Sequence, residues 1–108
     1  TFTLHLDYPD LSTADTRYLA IPVASSCVRI SVAFQGALLA TDTDITLTGP
    51  QGQITVLTLN SPSVAGTVES EALTTNNDFT QDSVLSLAFD GAPSASAEVI
   101  ITIYFEVS

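Results

Sequence analysis

The chain reads as an all-β protein: an antiparallel β-sandwich of jelly-roll or Greek-key type, with about eight strands. Three observations predict this. Several segments alternate apolar residues with Thr or Ser, the period-two pattern of half-buried strands. Turn residues recur at intervals of roughly ten to twelve residues, the spacing that two packed antiparallel sheets produce. No stretch carries a helical period.

Taken in order, residues 2–8 alternate cleanly, with Phe2, Leu4, Leu6 and Tyr8 on one face and Thr3, His5 and Asp7 on the other. Pro9-Asp10 breaks the run, and residues 9–17 read as a polar loop. Tyr18–Val23 forms a second extended piece, in which Pro22 marks an edge or a strand end. The cleanest strand is Cys27–Gln35, with Val28, Ile30, Val32 and Phe34 facing one way and Arg29, Ser31, Ala33 and Gln35 the other. Gly36 opens a turn region. Asp44–Thr48 and Gln53–Leu59 flank Gly49-Pro50-Gln51-Gly52, a hairpin signal, and Asn60-Ser61-Pro62 closes the second of them. Residues 64–71 are weakly strand-like and 72–82 are polar. Ser83–Phe89 is a strand closed by Asp90-Gly91, and Ala97–Val107 alternates with Val99, Ile101, Ile103, Phe105 and Val107 inward. An immunoglobulin-like sandwich ranks second, because its cysteine–tryptophan–cysteine signature is missing.

At 108 residues the expectation is a single domain spanning 1–108. Residues 1–17 carry an alternative as an extended N-terminal arm. With 45% hydrophobic and 13% charged residues the chain is no candidate for disorder. No apolar run is long enough to cross a membrane. The alternating N-terminus lacks the basic-then-apolar layout of a signal peptide, which disfavours export.

Charge excludes one class of partner. Twelve carboxylates against two arginines give a net charge of −10, so phosphate neutralisation, and with it nucleic-acid binding, is ruled out. Anionic membranes are disfavoured on the same ground, whereas a basic or cation-bearing protein surface suits the chain. The one cysteine, Cys27, has no partner for an internal disulfide.

Chemistry-bearing residues are few. One histidine (His5) and Cys27 cannot make a zinc site without carboxylates, and nothing marks an orienting group or an oxyanion site for a Cys–His pair. No serine sits in a Gly-x-Ser-x-Gly elbow, and Gly49–Gly52 lacks the Lys-Ser/Thr of a phosphate-binding loop. Asp42/Asp44 and Asp78/Asp82 are the carboxylate pairs that glycosidase chemistry or calcium would need. They fit no spaced calcium loop and read as solvated acids capping strand ends. The expectation is therefore no enzyme, no catalytic residues, no cofactor and no metal.

A resemblance adds to this reading. Val28-Arg29-Ile30-Ser31-Val32-Ala33-Phe34-Gln35-Gly36-Ala37, Ile45-Thr46-Leu47, the Gly49–Gly52 turn, Val64–Ser70, Asn76–Leu87 and the closing strand around Val99–Phe105 resemble a β-sandwich module of tailed-phage virion proteins. About three quarters of the chain is covered. Such modules often carry Gly-Asp before the strand at Val84, where this chain has Gln81-Asp82. The resemblance implies a capsid decoration (cement) protein on the outer capsid surface of a virion, with the major capsid protein as partner and a homotrimer, or a dimer, as assembly. The runner-up is a receptor- or carbohydrate-binding domain of a head or tail fibre, for which Asn76, Asn77, Asp78 and Phe79 are the candidate loop. For a cement role the expected interface residues are Phe2, Leu4, Leu6 and Tyr8, which add to a neighbour's sheet or form the first strand of their own, together with Arg17 and Arg29, the only fixed cations.

Overall fold

A computed structural model describes residues 1–38 and 41–108. Nine strands follow in chain order: β1 (Phe2–Tyr8), β2 (Asp15–Ala20), β3 (Ser25–Phe34), β4 (Thr43–Gly49), β5 (Gly52–Leu59), β6 (Val68–Ala72), β7 (Asp78–Phe79), β8 (Val84–Phe89) and β9 (Val99–Val107). Part of the turn region opened by Gly36, residues 39 and 40, lies outside the described residues.

The strands form two antiparallel sheets. One has the order β1-β9-β3-β6, with β7 also on β3; the other has the order β2-β8-β4-β5. Read as a single ribbon bent at the β4–β5 hairpin, the chain pairs β3 with β6 and β7, β2 with β8, and β1 with β9. Rolling that ribbon into two facing sheets gives the jelly roll. The all-β sandwich read from the alternation is the observed architecture.

The inner faces bury Val99, Ile101, Ile103 and Phe105 from β9 and Ile30, Val32 and Phe34 from β3. Ile45, Leu47, Leu57, Leu59, Leu85, Leu87 and Phe89 face them from the other sheet. Tyr8 stacks on Phe89 across the sandwich, with ring centroids 3.6 Å apart. Its hydroxyl donates to the Thr13 carbonyl at 2.5 Å, so the polar tip of a buried ring is satisfied.

Four details depart from the expectations. β2 starts at Asp15 and stops at Ala20, not Tyr18 to Val23, because an edge strand tolerates polar residues on its open side. Asp15, Thr16 and Arg17 pair with Phe89, Ala88 and Leu87. In β3 a bulge between Cys27 and Arg29 turns Cys27 inward and leaves Val28 half-buried, so the expected Val28 face begins at Ile30. The polar stretch 72–82 hides β7, which buries Phe79 against Phe105 at 5.9 Å, edge to face. Val107, expected inward, is exposed at the end of β9, where it still pairs with Ser25.

Residues 1–17, open between arm and strand, lie within the sandwich of the single chain. β1 pairs with β9 without interruption from Phe2↔Phe105 to Tyr8↔Val99.

Candidate interaction surface

Because strand side chains alternate, the register fixes what each sheet shows to solvent. The outer face of the first sheet carries three rows: Thr3–Tyr104–Arg29–Ala72, His5–Thr102–Ser31–Ser70 and Asp7–Ile100–Ala33–Val68. That of the second carries Thr16–Ala88–Thr46–Val56 and Tyr18–Ser86–Thr48–Gln53, with no charge in either row. Tyr18 is 70% exposed and Val68 59% exposed on these faces. Acids enter these faces near their ends: Asp7, Glu106 and Asp78 on the first sheet, the last two flanking Ser26, and Asp44 beside Thr58 on the second.

Half of the twelve acids gather at one end. Asp10, Asp42, Asp90 and Glu98 lie in connections at the end where β1 finishes at Asp7-Tyr8 and β4 starts beside Asp44. Several of these acids hold the loops. Asp10 accepts from the Ser12 amide and hydroxyl and from the Thr13 hydroxyl. Asp42 accepts from the Ser61 amide at 2.7 Å. Asp90 accepts from the buried Thr43 hydroxyl at 2.6 Å, the Asp44 amide at 3.1 Å and the Ala92 amide at 3.0 Å.

These contacts set the titration. Hydrogen bonds from Ser12 hold the Asp10 carboxyl below its ordinary value. At Asp90 burial works upward, but the bonds from Thr43, Ala92 and Asp44 together outweigh it and hold the carboxyl low. Glu98 goes the other way, raised by hydrogen bonding to Asp7 and by that residue's charge. A depressed carboxyl stabilises the fold above its unfolded value and loses that contribution as pH falls; a raised one disfavours the fold once ionised. The midpoint of thermal unfolding is therefore expected to rise as pH falls from neutral toward 4.5, through Glu98, and to drop below 3.8 as Asp10 and Asp90 protonate. Circular dichroism melts across this range test it. Asp7→Asn should flatten the rise and spare the drop, and a monotonic fall from neutral pH would rule out the Asp7–Glu98 coupling.

The predicted interface residues separate into three places. Phe2, Leu4 and Leu6 point inward from edge strand β1 and are only partly buried, while Tyr8 is fully buried. Arg17 belongs to the same side of the sandwich. Its Nε donates to Asp15 at 3.0 Å, and its guanidinium lies 5.1 Å from the centroid of the Tyr8 ring. Arg29 sits on the outer face, where it lines a groove of about 640 Å³ with Thr1, Phe2, Thr3, Tyr104, Phe105 and Glu106. Among the described residues the only ion pair is Arg17–Asp15; Arg29 shares the groove with Glu106 without forming one.

The groove joins residues that the sequence reading kept apart. Tyr104 was one more outward position on a closing strand, and only the β3–β9 register sets it opposite Arg29. Asn76, Asn77, Asp78 and Phe79, by contrast, are occupied internally. The Asn77 side-chain amide donates to the Cys27 and Leu73 carbonyls, bracing the bulge; Asn76 donates to Gln53, and Asp78 accepts from Ser26. Asp42/Asp44 and Asp78/Asp82 fall at opposite ends of the sandwich. Among the described residues no three of His, Cys, Asp and Glu gather as a metal-holding group. His5 lies on the outer face within hydrogen-bonding distance of the Thr3 and Thr102 hydroxyls, at 3.2 and 3.1 Å. Cys27 is buried, and that burial pushes its thiol up to about 12.

No family model matches the chain, and no curated protein matches it.

Proposed function

We propose that the chain is a structural virion protein, a capsid decoration (cement) module that binds the outer capsid surface and stabilises the junctions between capsomers. The observation that carries this reading is the outer face of the β2-β8-β4-β5 sheet, where two full cross-strand rows carry no charge on a strongly acidic jelly roll. Rigid, small-residue faces can lie flat against a large partner without stranding unpaired charge, since a buried and unpartnered carboxylate costs several kcal/mol or more. The jelly roll recurs in viral capsid proteins, and that support is analogy at the level of fold. The mechanism is contact area multiplied by symmetry. A standard interface buries about 1,600 Å² in total, and linked copies on neighbouring sites raise one another's effective concentration.

The test is reconstitution: purified chain is mixed with shells lacking it, and bound copies are counted by quantitative mass spectrometry against the major capsid protein. Saturation at a fixed lattice-like ratio, with shells that resist heat better, is expected. Failure to co-sediment with shells would end the cement reading.

One observation favours a second reading, a receptor- or carbohydrate-binding domain of a fibre. The Arg29–Tyr104–Glu106 groove offers an exposed ring beside a charged donor and acceptor, the kind of lining that holds a sugar. Glycan-array binding abolished by Tyr104→Ala would select it over decoration.

A further inference from the structure

The two long sides of the sandwich are finished differently. On the β5/β6 side polar groups tie the sheets together: Glu71 accepts the Thr55 hydroxyl at 3.1 Å on both oxygens, and Glu69 accepts the Asn60 backbone and side-chain amides at 2.9 Å. On the β1/β2 side no side-chain hydrogen bond joins the two strands among the described residues, and the one polar tie is at the Tyr8 end, where the Arg17 guanidinium lies over the Tyr8 ring. Phe2, Leu4 and Leu6 from β1 and Leu19 from β2 are left partly buried there, so an apolar strip runs along an edge.

β1 is the outermost strand of its sheet, so half of its backbone donors and acceptors have no strand to bond. Exposed edges are normally blunted by proline, lysine or a bulge. Residues 2–8 contain no proline, their one carboxylate, Asp7, sits near the far end, and their pairing with β9 is unbroken. An unguarded edge beside an unfinished apolar strip calls for another strand.

We propose that β1 pairs edge to edge with β1 of a second copy of this chain, antiparallel about a two-fold axis at Leu4. The register follows from the residues. A shift of one position would set the apolar face of one copy against the polar face of the other. With Leu4 opposite Leu4, Phe2 falls opposite Leu6, and all three half-buried apolar residues of one copy meet those of the other. Thr3 lies opposite His5, and Asp7, the only carboxylate of β1, lies opposite Thr1. Centring on His5 instead sets that ring against its own copy and spends Phe2 on Tyr8, which is already buried. The antiparallel arrangement also sends the two acid-rich ends, with Asp10, Asp90 and Glu98, to opposite extremes of the dimer. What remains of the repulsion between two chains of net charge −10 is long-range and screened by salt. Association therefore strengthens with ionic strength, the reverse of a contact held by ion pairs. None of this depends on the virion reading.

Sedimentation velocity over a range of protein and salt concentrations is the first measurement. A species of twice the monomer mass, favoured by added salt, is expected. The register is read by cysteine crosslinking under a mild oxidant: Leu4→Cys should form a disulfide-linked dimer and His5→Cys should not. Buried Cys27 keeps the wild type silent as a control. Leu4→Lys should sediment as a monomer with a native far-ultraviolet spectrum; if that variant unfolds, the crosslinking result decides. A wild type that stays monomeric at every concentration and salt overturns the proposal, as does a dimer that crosslinks through His5→Cys but not through Leu4→Cys.

Discussion

Phe105→Ala is expected to lower the free energy of unfolding by about 3–5 kcal/mol, the range for deleting a buried phenyl ring. The ring is 1% exposed and stacks on Phe2 with centroids 4.8 Å apart and planes 2° from parallel. Phe79 meets it edge to face, so it joins β1, β9 and β7 at one end of the sandwich. Each aromatic pair adds roughly 0.5–1.5 kcal/mol beyond area burial, and the cavity left by alanine is walled by strands that cannot close over it. A domain of this size holds about 5–15 kcal/mol in total, so the variant should sit near or past its folding limit at ambient temperature. Urea titration followed by circular dichroism measures the loss. A double-mutant cycle with Phe2→Ala then isolates the stacked pair; a shift below about 1 kcal/mol for the single change would mean that the ring contributes little to the fold.

Gly91→Ala is the second large effect, expected at about 3 kcal/mol or more for two separable reasons. Gly91 has a φ of +68°, and a non-glycine residue there costs roughly 1–2 kcal/mol. A Cβ would also lie 2.5 Å from the Ala14 amide nitrogen and 3.0 Å from its Cα, which are backbone atoms of the neighbouring loop with no side-chain freedom to yield. That loop is fixed in turn by Asp10, and the segment beside Gly91 by Asp90, so neither can withdraw without breaking hydrogen bonds. Gly66→Ala is the internal control: its φ is +88° but nothing lies within 4 Å of the added carbon. Gly66→Ala should cost roughly 1–2 kcal/mol, from backbone conformation alone. Chemical denaturation of the two variants side by side makes the comparison. Equal losses would show that the approach of Gly91 to Ala14 carries no weight.

The parts of the fold legible in the sequence are those where side-chain alternation alone sets the structure. Residues 2–8, 43–49 and 84–89 alternate because one face is turned to the core along their length, and these strands and β5 are legible to within a residue or two; in β5 an irregularity opposite Leu47/Thr48 breaks the alternation between Ile54 and Leu57. The β3 bulge was not legible. Cys27 and Val28 are both small and apolar, and what chooses between them is Asn77, bonded to the Cys27 carbonyl from a distant loop. β7 was hidden for a similar reason, since two residues cannot show a period. Asp15-Thr16-Arg17 looked like a loop because the pattern reports burial, and this edge strand buries little.

The candidate surface follows the same division. That Phe2, Leu4 and Leu6 form an apolar stripe could be read directly, but their being half-buried depends on the opposing sheet stopping short of them. The pairing of Arg29 with Tyr104 requires the β3–β9 register, and the polar closure by Glu69 and Glu71 requires β6 to face β5 across the sandwich. Contacts between distant parts of the chain leave no local trace.

The ribbon topology also constrains how this chain folds. Only the β4–β5 hairpin forms between near neighbours in sequence. β1 waits for β9, the last of the nine strands in chain order, so it is among the last to find its partner. Chain entropy must be surrendered over nearly the full length before that pairing stabilises anything, which places the protein among slow, high-contact-order folders. During that interval β1 is an unattached apolar strand in the nascent polypeptide, and its misassociation with other chains competes kinetically with native closure.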